Sequence, residues 1–184
     1  MTGAAGFLGA LRALNRWVAV GVGAGLMACA ALVLSDIALR RIDASFGGTD
    51  EISGYVMAIA TAWGMGYALM ELGHVRIDIL RSRGGARVRA MFDLFSLMVL
   101  AGTVSLVAIK AWPVVERSLA NSSRANTPLE TPLALVQIPW FAGWIWFALM
   151  AWLTFAAALM LVLRGDFDAA DRAIGVVGEG ESPQ

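Results

Sequence analysis

Four long apolar runs, separated by short polar stretches, dominate this 184-residue chain. They cover about residues 17–39, 52–70, 90–112 and 139–163. A helix rises about 1.5 Å per residue, so about 20 residues are enough to cross the hydrocarbon core of a bilayer. Inside that core the backbone hydrogen-bonding groups must be satisfied within the segment, which favours helices. The sequence therefore predicts an all-α integral membrane protein.

The predicted architecture is a single membrane domain, residues 1–165, that forms an up-down bundle of four transmembrane helices. Residues 166–184 are rich in glycine and acidic residues, which predicts a disordered cytoplasmic tail. The whole chain is 59% hydrophobic and only 15% charged, and its formal net charge is zero. A neutral, apolar chain of this kind is not expected to bind nucleic acid.

The distribution of basic residues predicts the orientation. Of the 14 lysines and arginines, nine lie on the side of the N-terminus and five on the opposite side. Because cytoplasmic loops are enriched in basic residues, both termini and the 71–90 loop are expected in the cytoplasm. That loop alternates apolar and charged residues near its start, and it could form a short interfacial helix.

The middle parts of the four predicted spans contain no Asp, Glu, Lys or Arg. Charges at bilayer depth usually mark ion paths or proton relays, so this chain is not expected to supply one. It also lacks a second histidine and any paired acids within a span, which argues against an enzyme. We therefore expect no catalytic residue, no cofactor site and no metal site in this chain.

Small residues recur every four positions in the second span, at Gly54, Ala58, Ala62 and Gly66. Small side chains let two helix backbones approach closely, which is how many membrane helices associate. This stripe predicts a close helix–helix contact. Either another helix of this chain or another subunit could be the partner.

The fourth run begins with Pro139, which is expected in the first helical turn because its missing N–H costs nothing there. Aromatic residues are frequent at the membrane–water interface. An aromatic cluster just after this proline is therefore predicted to anchor the outer end of the span: Trp140, Phe141, Trp144, Trp146 and Phe147.

The segment after the second span reads Gly73-His74-Val75-Arg76-Ile77-Asp78 and contains the only histidine. This segment resembles the small membrane subunit, called the DctQ-type or Q subunit, of tripartite ATP-independent periplasmic (TRAP) transporters. An acidic pair opening the second span, Asp50-Glu51, and Ile138-Pro139-Trp140 at the fourth span also match the family pattern. The resemblance covers most of residues 15–165, with Gly84-Gly85 as a local departure.

The resemblance implies a scaffold that braces a large 12-span permease subunit in the bacterial inner membrane. That partner would carry the substrate and sodium sites, and a periplasmic binding protein would deliver an organic acid for sodium-driven uptake. The resemblance makes six residues candidates for a partner or hinge motif: Glu51, Gly73, His74, Val75, Arg76 and Asp78.

Two alternative functions remain open from the sequence. The small subunit of a tripartite tricarboxylate transporter is also a four-span protein, but the segment at residues 73–78 favours the TRAP family. A membrane anchor of a respiratory complex would need axial haem ligands within its spans. His74 lies at the end of a span and has no second histidine to pair with.

Overall fold

The computed structural model describes residues 3–73 and 84–175, with side chains from Gly6 onward. These residues form five helices: α1 (Gly3–Leu39), α2 (Thr49–Met70), α3 (Ala86–Ala120), α4 (Leu133–Leu163) and α5 (Phe167–Ile174). One 3₁₀ turn, Arg40–Ile42, follows α1. Apart from an isolated bridge between Arg124 and Pro132, the described residues contain no β-structure.

Helices α1 to α4 are each long and apolar enough to cross a membrane, which confirms the predicted four-span fold. They are longer than the apolar runs. The helix α1 begins at Gly3 rather than near residue 17, and its 37 residues extend about 55 Å. The helix α3 continues through Pro113 to Ala120. Hydropathy therefore located the apolar part of each helix but not the helical turns that continue beyond it.

The prediction that Pro139 lies in the first turn of the last span was wrong. The helix α4 begins at Leu133, so Pro139 lies two turns inside it. A proline in this position removes one helical hydrogen bond, because it has no N–H to donate to the carbonyl four residues earlier. The preceding segment stays helical nevertheless.

The helix α4 occupies the centre of the fold. It packs against both α2 and α3, while α1 packs mainly against α2. The spatial order of the spans is therefore α1–α2–α4–α3. We call the end of the bundle with the 40–48 and 121–132 connections the loop end, and the opposite end, where α5 lies, the α5 end.

The helix α5 corrects the prediction that the tail is disordered from residue 166. The Asp166 side chain accepts a hydrogen bond from the N–H of Ala169 at 3.1 Å, which caps the helix. Its apolar face buries Ala170 and Ile174 against α3 and α4. The average composition of residues 166–184 does not predict this helix, because the helix is specified locally by its N-cap residue and a short apolar face. Residues 176–184 and the possible interfacial helix within 74–83 lie outside the described residues.

Candidate functional site

The four small residues of the α2 stripe do not share one environment. Ala62 and Gly66 are buried inside the chain, whereas Gly54 and Ala58 are exposed. Four residues rotate a helix by about 400°, so each step along the stripe turns it by about 40°. Over the three steps from Gly66 to Gly54, the stripe therefore rotates from the contact with α4 to the exposed surface of α2. A Cβ atom on Gly54 would meet nothing within 4 Å.

The buried half of the stripe forms a close contact between α2 and α4. A Cβ atom on Gly143 of α4 would lie 2.8 Å from the Cβ of Ala62, which is closer than two non-bonded carbon atoms can approach. One turn further along α2, a Cβ atom on Gly66 would lie 3.0 Å from Asn15 Oδ1. The Trp146 ring would lie only 3.2 Å from this added Cβ atom. Glycine at positions 66 and 143 is therefore what lets α2 and α4 pack this tightly.

A buried polar node lies where α1, α2 and α4 meet. Asn15 is 0% exposed, and its amide nitrogen donates to the Leu11 carbonyl at 3.1 Å and to Met150 Sδ at 3.0 Å. Its Oδ1 accepts the indole N–H of Trp146 at 3.1 Å. Both kinds of polar atom on the amide are thus satisfied, as burial in an apolar interior requires. Sequence reasoning missed Asn15, although a lone amide at the start of an apolar run was a visible signal.

The same contacts correct the predicted aromatic anchor. Trp146 lies about 20 Å along α4 from Leu133, stacked on Trp63 at 5.9 Å between ring centroids. Phe147 is buried in the core. Both residues therefore serve helix packing rather than the interface at the loop end. Trp63 in turn donates its indole N–H to the Pro139 carbonyl at 2.9 Å, which adds a polar link between α2 and α4.

At the loop end, Asp36 organises the turn between α1 and α2. It is 1% exposed, and both of its oxygens accept hydrogen bonds. Oδ1 accepts from the Ser45 hydroxyl at 2.9 Å and the Phe46 N–H at 2.8 Å. Oδ2 accepts from Arg40 Nε and the Thr49 hydroxyl, each at 2.9 Å. One buried carboxylate thus fixes the whole connection, and its charge is paired by Arg40.

Glu51, a residue of the predicted partner motif, also lies at the loop end and makes contacts within the chain. Its Oε1 accepts the Tyr55 hydroxyl at 2.5 Å and the Thr131 hydroxyl at 2.9 Å. Next to it, the Leu129 side chain packs directly over Gly48, where a Cβ atom would come within 2.5 Å. Glu51 therefore joins the start of α2 to the α3–α4 connection.

Gly73 does not itself end α2. The helix ends at Met70, and Leu72 adopts the left-handed conformation, with φ of 56°. The Gly73 N–H then bonds the Ala68 carbonyl at 2.8 Å, and the Leu72 N–H bonds the Leu69 carbonyl at 3.2 Å, which is a Schellman motif. The other motif residues, His74, Val75, Arg76 and Asp78, lie outside the described residues.

Within residues 3–73 and 84–175, no three His, Cys, Asp or Glu side chains lie close enough together to hold a metal ion. Asn15, Asp36 and Glu51 each form hydrogen bonds with other residues of the chain. Four long apolar helices with such internal contacts define a multi-pass helical membrane protein.

The sequence identifies the family. Residues 29–164, well over half of the chain, match the family of tripartite ATP-independent periplasmic transporters, DctQ component. The chain therefore belongs to the DctQ family and is the small membrane subunit of a TRAP transporter, not an enzyme. Family membership implies a large permease subunit and a substrate-binding protein as partners. No curated protein and no solved structure matched the chain significantly.

Proposed function

We propose that this chain is a scaffold that braces the large permease subunit in the bacterial inner membrane. The observation that carries the proposal is the internal use of its strongest polar groups. Asp36, Glu51 and Asn15 each bond to residues of the same chain, so their bonds stabilise the bundle. A substrate or ion path instead requires polar groups that face a cavity and can exchange partners.

In this function the large subunit, which we expect to have 12 spans, carries the substrate and sodium sites. The periplasmic binding protein delivers an organic acid, and the sodium gradient drives uptake. This chain then holds no cofactor of its own. Its contribution is the exposed apolar surface of α1 to α4, part of which would be covered by the large subunit and the rest by lipid.

The proposal can be tested in proteoliposomes. Large subunit alone, this chain alone and the two together are reconstituted with the purified binding protein, loaded with the organic acid that it retains. Under an inward sodium gradient we expect strong uptake only with both membrane subunits. Liposomes under the same gradient without either subunit give the background.

Two outcomes would refute the scaffold function. One is uptake above background with this chain alone, which would mean that it contains a transport path. The other is equal uptake by the large subunit with and without this chain. Copurification of the two subunits, measured on the same preparations, separates failed assembly from failed transport.

A further inference from the structure

Two large apolar side chains project from the connection between α1 and α2. Ile42 is 71% exposed and Phe46 is 63% exposed. Exposure of this much apolar surface to water is unfavourable by about 25 cal/mol per Å². The adjacent Arg40 and Arg41 are also exposed. The connection thus combines apolar tips with basic residues at the end of a membrane span.

The backbone of this connection is irregular, yet three of its N–H groups bond within the chain, two of them to residues of α1. The Ala44 N–H bonds the Leu39 carbonyl at 3.1 Å. The Phe46 N–H bonds Asp36 Oδ1 at 2.8 Å, and the Gly47 N–H bonds the Ser45 hydroxyl at 3.2 Å. In water such groups could bond to solvent, but near hydrocarbon they must find partners within the protein. These three N–H groups therefore do not depend on water for a partner.

The last turns of α1, which lead into this connection, also expose apolar side chains. Leu34 is 66% exposed and Ile37 is 52% exposed. The exposed hydroxyl among them, on Ser35, bonds back to the Ala31 carbonyl at 2.7 Å. The exposed side chains on these turns of α1 therefore do not depend on water, as a lipid-facing surface requires.

We propose that residues 40–48 form an interfacial membrane anchor. Ile42 and Phe46 insert into the leaflet at the loop end, and the Arg41 side chain reaches the lipid phosphates, as basic side chains do at a membrane surface. Arg40 stays paired with Asp36. The binding partner is the phospholipid surface itself. Asp36 holds the connection in the shape that presents Phe46. This inference needs only the membrane location of the chain and does not depend on its transport role.

Spin labelling of the full-length chain in phospholipid nanodiscs tests the anchor. The native Cys29 is replaced by alanine, and a label is attached through Phe46→Cys or, separately, Ile42→Cys. Collision rates are measured with oxygen, which partitions into lipid, and with a water-soluble nickel chelate. We expect an oxygen-to-nickel ratio several-fold higher at both positions than at Asn126→Cys, an exposed control on the neighbouring connection.

A ratio at positions 42 and 46 equal to that at position 126 would place the connection in water and overturn the proposal. The measurement is repeated after assembly with the large subunit. If oxygen and nickel then both lose access to the labels, a protein covers the connection and the lipid anchor is wrong. Asp36→Asn added to Phe46→Cys should lower the ratio, because the Phe46 N–H loses its charged acceptor.

Discussion

The Thr131 hydroxyl donates a 2.9 Å hydrogen bond to Glu51, although 80 positions separate the two residues in the sequence. The bond ties the α3–α4 connection to the first turn of α2. Glu51 belongs to the acidic pair that resembles the family pattern. Its contacts within the chain give that acidic residue a structural role, independent of any contact with a partner.

Breaking the Glu51–Thr131 contact should loosen the loop end. Thr131→Val and Glu51→Leu should each destabilise the purified chain, by about 1–3 kcal/mol, because each leaves a half-buried polar group without its partner. The double variant should cost less than the sum of the two, because both remove the same bond. Denaturant titration in detergent measures all three, with Thr103→Val as the matched control, because the exposed Thr103 hydroxyl bonds the Val99 carbonyl of its own helix. Strict additivity would show that the two residues are not coupled.

Substitutions in the buried and in the exposed half of the small-residue stripe should have different effects on the stability of the chain. Gly66→Leu should destabilise the chain purified alone by about 1–3 kcal/mol, since it forces the added side chain into Asn15 and Trp146. Gly54→Leu should leave that stability unchanged, because its position is open. Thermal unfolding of both variants measures the difference. Equal destabilisation would contradict the packing described for α2.

Copurification with the large subunit then decides the role of the open half. If Gly54 and Ala58 face the partner, leucine at either position should weaken assembly without affecting the stability of the isolated chain. Thr61→Leu, on the same exposed surface, extends the test by one turn. Unchanged assembly in all three variants would mean that this surface faces lipid.

Loss of the Trp146 indole N–H should destabilise the chain through the polar node at Asn15. Trp146→Phe keeps an aromatic ring but leaves Asn15 Oδ1 without the indole N–H, which should cost about 1 kcal/mol, within the range for hydrogen bonds between membrane helices. Adding Asn15→Leu should recover part of the loss, because no buried acceptor then remains. Unfolding midpoints of the two variants provide the measurement. A further large loss on adding Asn15→Leu would point to packing, not hydrogen bonding, as the role of Asn15.

The predicted orientation can be tested by cysteine labelling in intact cells. In a Cys29→Ala background, Gly85→Cys near the α5 end should resist a membrane-impermeant thiol reagent. Ser122→Cys at the loop end should react. Both positions are exposed, so access to the side chain does not bias the comparison. Reversed labelling would place the N-terminus outside.

The sequence predicted the four spans because transfer of apolar side chains into lipid is a local property that sums along each run. It did not predict that α4 lies between α2 and α3, since that order depends on which surfaces fit. Gly143 illustrates the difference, because it lies in no regular stripe and its importance appears only beside Ala62. Asp36 and Arg40 are four residues apart, a spacing that predicts an ion pair on a helix, and this pair is present. The bonds of Asp36 to Ser45 and Phe46 depend on a loop conformation that hydropathy does not encode.

The helix α5 has a practical consequence for protein engineering. Ala170 and Ile174 belong to the same buried cluster as Leu8 and Leu161, so both ends of the described chain contribute to one core. A shortened protein that stops at Leu163 would uncover apolar surface at the membrane boundary and should aggregate more readily. An affinity tag or fluorescent fusion is therefore better attached beyond Gly175 than directly after the last span.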